Sequence, residues 1–135
     1  MSRSSPDVVE RIVQALALAP AADLLGRRSA WIDDAQRIVF AHVPGTQRLL
    51  VAGQIGHARP GHRHGALAMA LLANSALSTQ ARAHWSFEPE TLGWCLRRLL
   101  QLRSDEGQLI HEVGAFVAQA REARREWRRM GLLIE

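Results

Sequence analysis

A chain of 135 residues with 47% hydrophobic and 22% charged side chains fits one folded domain with a single core and excludes a disordered chain. All 17 basic residues are Arg and 13 acidic residues leave a formal net charge of +4, but a basic balance implies nucleic acid or an anionic membrane only when it clusters on one face. The single cysteine, Cys95, excludes an intrachain disulfide and any cysteine-based zinc site.

The first residues, MSRSSPDVVE, carry no apolar leader, and no apolar run reaches the roughly 18 residues that a membrane helix requires, so a cytosolic protein is expected. Ser5 is the candidate N-cap of helix 1, with Pro6 in the first turn and Asp7 beside the positive end of the dipole. Val8, Val9, Ile12, Val13 and Leu16 form an apolar stripe that carries the helix to about Leu18, before Pro20 stops it. Leu24 to Arg28 reads as a connection. Trp31-Ile32, then Ile38 to Val43, then Leu49 to Ala52 are β-branched and aromatic runs separated by the turns Asp33-Asp34-Ala35-Gln36 and Pro44-Gly45-Thr46-Gln47. They predict a three-stranded antiparallel meander between Ala30 and Ile55, apolar in places on both faces, with one face open for a partner.

GHARPGHRHG, residues 56–65, is a loop by its Gly and Pro content. Ala66 to Leu77 is a helix apolar on nearly every side, which requires burial on more than one face. Ala83, Trp85 and Phe87 then alternate with polar residues, Glu88-Pro89-Glu90-Thr91 turns the chain, and Leu92, Trp94 and Leu96 resume the alternation: a hairpin with one apolar face. From about Gly107 a long helix carries Leu109, Val113, Phe116, Val117, Ala120 and Trp127 on one stripe, which predicts that it lies on the sheet. Residues 1–5 and 131–135 are expected to fray. The reading is one α+β domain over residues 1–135, ordered α-β-β-β-α-β-β-α.

Few residues suggest chemistry. His62 and His64, with His57 and His84, make a poor metal site, because an i, i+2 pair beside an arginine lacks a supporting carboxylate. Cys95 sits mid-strand beside Trp94, where burial raises a thiol pKa, so it packs as a small hydrophobe. Asp33 and Asp34 belong to a turn and point in different directions. No catalytic residue, metal or cofactor is expected. The arginines between Arg121 and Arg129 are the main rival signal, a basic helix that could track phosphates in a nucleic-acid-binding or regulatory domain. Glu122 and Glu126 stand at ion-pair spacing from Arg125 and Arg129, which favours a solvated helix face over nucleic acid.

The element order, the Leu71-Leu72-Ala73-Asn74 run on helix 2, the hairpin turning at Glu88 to Thr91 and the closing helix ending near Trp127 together resemble the class I type III secretion chaperones, the CesT-like or Tir-chaperone family. The resemblance spans roughly Val8 to Trp127. It implies a non-enzymatic bacterial cytoplasmic homodimer, linked to virulence, that holds the N-terminal segment of a secreted effector in extended form and delivers it to the secretion ATPase. Carried onto this chain, it implies a dimer interface of Leu67, Ala70, Leu71, Asn74, Leu77 and Trp85. It also implies effector-binding patches drawn from Val8, Ile12, Trp31, Ile38, Phe40, Leu49 and Val51. The chain departs from the family in charge: such chaperones are typically acidic, whereas this one has a pI near 11.1.

Overall fold

A computed structural model describes residues 5–22, 27–80, 83–88, 93–102 and 105–134, with the side chains at 5–7 and 72–80 left aside. Among the described residues three helices, α1 (Ser5–Ala15), α2 (Arg63–Gln80) and α3 (Glu106–Arg129), accompany six strands. These are β1 (Ala19–Ala21), β2 (Arg28–Trp31), β3 (Arg37–His42), β4 (Arg48–Gly56), β5 (His84–Glu88) and β6 (Gly93–Gln101), with a 3-10 turn at Pro60–His62 ahead of α2. All strands join one antiparallel sheet in the order β1-β2-β3-β4-β6-β5. The meander and the hairpin are therefore as expected, and they are joined side by side through β4 and β6. The residues expected to turn the hairpin at 89–91, and those at 24–26, lie outside the described residues.

Several bounds differ from the expectation: β2 runs over Arg28–Trp31 in place of Trp31-Ile32, and α2 starts at Arg63 within the expected loop and continues past Leu77 to Gln80. Helix α1 ends at Ala15, not near Leu18, because Ala17 takes a left-handed conformation (φ 55°) and the Leu18 amide returns to the Val13 carbonyl at 3.0 Å. That geometry closes the free carbonyls of the last turn. The chain then enters β1, which the periodicity does not announce. Pro20 sits in this strand opposite Ala30, at the sheet edge where a missing N–H is tolerated.

The C-terminus is a further difference. Beyond α3 the chain was expected to fray, yet Leu132 and Leu133 are buried, Leu133 bridges Ala58, and the Ile134 amide donates to His57 O at 2.9 Å. Gly131 (φ 71°) turns the chain back beneath α2 and makes this possible.

One sheet face is closed by α3 with α1 beside it. The predicted α3 stripe of Leu109, Val113, Phe116, Val117, Ala120 and Trp127 is the buried set of that helix. It meets Leu49, Val51 and Ile55 of β4, Ile38 and Phe40 of β3, and Leu96 and Leu100 of β6, all in one core with Val9, Ile12 and Val13 of α1. Asp105 caps α3 by accepting from the Gln108 amide at 3.3 Å.

Helix and sheet approach most closely at Gly53. A Cβ placed there would stand 2.7 Å from Ala120 Cβ, so only glycine lets α3 settle at this distance. The Gln36 amide nitrogen locks the same point by donating to Ala120 O at 2.9 Å from a buried position. We expect Gly53→Ala to cost about 1–3 kcal/mol in urea unfolding, as overpacking does. The double substitution with Ala120→Gly should recover part of that loss through coupling. An unchanged unfolding midpoint for Gly53→Ala would refute the close approach.

Candidate functional site

Helix α2 packs against β5 through Ala66 and Ala70, both buried, with Met69 partly covered. One position on from each alanine, Leu67 and Leu71 are 50% and 61% exposed. Two leucines at i, i+4 on the outer surface of an otherwise apolar helix form an uncovered strip. Of the six residues expected at a dimer interface, Leu67 and Leu71 line this strip. Ala70 and Trp85 face inward, and the side chains of Asn74 and Leu77 lie outside the described residues. Trp85 is stacked on Trp127 with ring centroids 4.5 Å apart and planes 9° apart. It anchors the C-terminal half of α3 to β5 within the protomer.

The residues expected to meet an effector divide in the same way. Trp31 is 38% exposed, with the Arg37 guanidinium 5.7 Å from its ring centroid, and Val8 is half-buried. Ile12, Ile38, Phe40, Leu49 and Val51 are almost fully buried beneath α1 and α3 and present no surface to a partner. The reason is strand parity. Successive residues point to opposite faces, and the helices cover the face that holds these four strand residues.

Their neighbours occupy the other face. Val39 pairs with Ala52 and Ala41 with Leu50; Leu50 in turn opposes Leu99, and Ala52 opposes Arg97. Ala41 and Leu50, half-buried, and Val39 and Ala52, almost fully buried, line a depression of about 300 Å³ walled by Arg27, Glu88 and Arg97. Glu88 is buried and accepts from Arg27 Nη1 at 2.7 Å, with Arg97 Nη2 3.8 Å away. Next to it a second depression of about 340 Å³ contains Leu50, His84, Arg98 and Leu99, and Leu99 is 49% exposed. The sequence signal for this surface was present, since β3 and β4 are apolar on both faces. Periodicity alone could not tell which face the helices would take.

Cys95, also on this face, is buried. Desolvation by burial, reinforced by the Glu88 carboxylate and opposed by Arg97 and Arg27, pushes its thiol from an ordinary 9.0 to about 11. The thiol is therefore neutral near pH 7 and is no nucleophile. Burial raises the folded-state value, so this thiol's contribution to stability is complete below 9.0 and is lost as pH rises through about 11. Among the described residues no group of three His, Cys, Asp or Glu side chains could hold a metal, and no helix is long and apolar enough to cross a membrane. We expect Cys95 to resist iodoacetamide at pH 8 in native protein and to react fully in urea; equal rates in both would contradict its burial.

The arginines of α3 are largely engaged with the protein itself. Arg121 donates to Ile32 O at 3.2 Å and Arg124 to Ile55 O at 2.6 Å, pinning α3 to the ends of β2 and β4. Arg125 pairs with Glu122 at 2.6 Å, and Arg129 pairs with Glu126. The last pair holds the Glu126 carboxyl below its ordinary value through the Arg129 hydrogen bond.

The sequence matches the model of the Tir chaperone protein (CesT) family over residues 8–124. No curated protein sequence matches it significantly. Solved structures share the fold, two of them as follows. A chain described as "Crystal Structure of the ExsC-ExsE Complex" aligns at TM-score 0.69 and 13% identity over 100% of both chains. A chain described as "Structure of the HopA1-SchA Chaperone-Effector Complex" aligns at TM-score 0.62 and 15% identity over 90% of this chain and 93% of that one.

Proposed function

Because the chain belongs to the Tir chaperone protein (CesT) family, we propose that it is a bacterial cytoplasmic, non-enzymatic chaperone that keeps the N-terminal segment of a type III effector extended and competent for secretion. One of the structures that share its fold is itself described as a chaperone-effector complex, which supports an effector as partner. The observation that carries the reading on this molecule is the sheet face opposite α1 and α3, where Ala41 and Leu50 are half-buried and Leu99 is 49% exposed. An extended segment laid there buries its own apolar side chains against that face. Ordering such a segment costs about 1–2 kcal/mol per residue, and burial returns about 25 cal/mol per Å² of apolar surface, so the bound segment must be long and anchored at several points. Trp31 and Val8, exposed and half-exposed near the β1 edge and α1, are further anchors of the expected set.

Homodimerisation through α2 completes the reading. Leu67 and Leu71, with the Asn74 and Leu77 positions one and two turns further on, would meet their copies across a two-fold axis, as an isologous interface requires. Ala70 and Trp85 would support that surface from beneath. The dimer then presents two segment-binding faces, and the loaded complex would dock on the secretion ATPase.

Light scattering on the wild-type protein should give twice the chain mass of 15.0 kDa. Leu71→Glu or Leu67→Arg should yield the single-chain mass or an unfolded chain, whereas a folded protein of unchanged dimer mass would overturn the interface. Leu99→Glu should leave the dimer intact and weaken capture of an effector N-terminal segment by tenfold or more, since a buried leucine contributes about 1.5–3 kcal/mol. Capture equal to wild type would remove the sheet face from the binding surface.

A further inference from the structure

On the reading that this protein holds an extended partner chain, we propose that the groove between the β2–β3 turn and the C-terminal turns of α3 takes an acidic stretch of that chain, with carboxylates at alternate positions. The groove has a volume of about 710 Å³ and is lined by five arginines against two aspartates. Arg121, Arg124, Arg125 and Arg128 lie at i, i+3, i+4 and i+7, one stripe of the helix facing the groove. Glu122 and Glu126, which pair with Arg125 and Arg129, do not line it.

Arg121 and Arg124 carry the argument furthest. Each gives one nitrogen to a backbone carbonyl, and neither has a carboxylate partner among the described residues. A guanidinium has five N–H donors in a fixed fork, so each is held in place by one bond with others left to bind a carboxylate. The opposite wall asks for donors. Gln36 lines the groove, is 1% exposed, and has an Oε1 atom with no hydrogen-bond partner among the described residues. That atom is shut off from solvent, so a bound chain meets this wall through the wall's carboxylates. Asp33 and Asp34 stand on the same wall.

An extended peptide answers both walls. Its backbone N–H groups serve Asp33 and Asp34, and its acidic side chains serve the arginines. Alternate residues of a strand stand roughly 6.6 Å apart and successive turns of a helix about 5.4 Å, a difference that long arginine side chains absorb. A nucleic-acid backbone, by contrast, would bring phosphates against two aspartates with no backbone N–H to offer them. The same groove gathers five of the chain's 17 arginines.

The test is fluorescence anisotropy on the full chain with a labelled peptide alternating Glu and Ser, its Gln-Ser counterpart, and a single-stranded oligonucleotide. The Glu-Ser peptide should bind, and more weakly as salt rises, while the Gln-Ser peptide should not. Arg125→Gln with Arg128→Gln, both at exposed positions, should weaken binding roughly tenfold, and Asp33→Asn with Asp34→Asn should tighten it by relieving repulsion. The proposal is overturned if the two peptides bind alike, if the arginine variant binds as wild type does, or if the oligonucleotide displaces the peptide at lower concentration. If an effector segment is held equally by wild type and the arginine variant while the Glu-Ser peptide is not bound, the groove assignment falls and the chaperone reading stands. Acidic-peptide binding that the arginine variant abolishes, with no effector segment held, supports the groove and removes the chaperone reading.

Discussion

The rest of the structure depends on how closely α3 can lie on β4. Gly53 removes the one Cβ that would meet Ala120, and Gln36 reaches from the β2–β3 turn to fasten the helix backbone at that same residue. With the helix held this near, Phe116, Val113 and Leu109 reach the floor of the sheet and Trp127 reaches Trp85 and Trp94. A second glycine has a related part. Gly56, at φ 141° beside the irregularity that ends the regular pairing of β4 with β6, lies under Leu133 and lets the C-terminal segment come back over the sheet end.

That contact makes the two faces of the sheet unequal. One side is consumed by α1 and α3 and becomes the core, while on the other Val39, Ala52 and Cys95 are buried, Ala41 and Leu50 half-buried and Leu99 exposed. Apolar surface left in water is a cost unless a partner covers it. Here the second side is bordered by ions: buried Glu88 draws Arg27 and Arg97 to the rim of the depression.

The arginine composition is also explained at this level. Arg121 and Arg124 serve as tethers between α3 and the strand ends, Arg98 meets Glu112 of the same helix at 3.0 Å, and Arg11 ties α1 to Glu106 at 2.9 Å. Exposed pairs such as the last contribute little individually, about 0–1 kcal/mol. Tethers to backbone carbonyls matter more, because they satisfy groups at strand ends that would otherwise be unpaired. A pI near 11.1 is thus compatible with a protein-binding molecule as readily as with a nucleic-acid binder.

By itself the sequence determined the element types, the six buried positions of α3, the meander and hairpin, and the family, because each rests on local periodicity, turn chemistry or a succession of short motifs. Only the tertiary structure decided which face of β3 and β4 became core, since Ile38 and Val39, or Leu49 and Leu50, are equally apolar and the choice is made by helices distant in sequence. The same holds for Trp85, whose alternation fits an interface as well as a core until Trp127 is placed against it. It holds too for β1 and the packed residues 132–134, where a left-handed Ala17 and the turn at Gly131 redirect the chain in ways that no hydrophobic period encodes. Local pattern specifies what an element is; long-range packing specifies which of its sides a partner can reach.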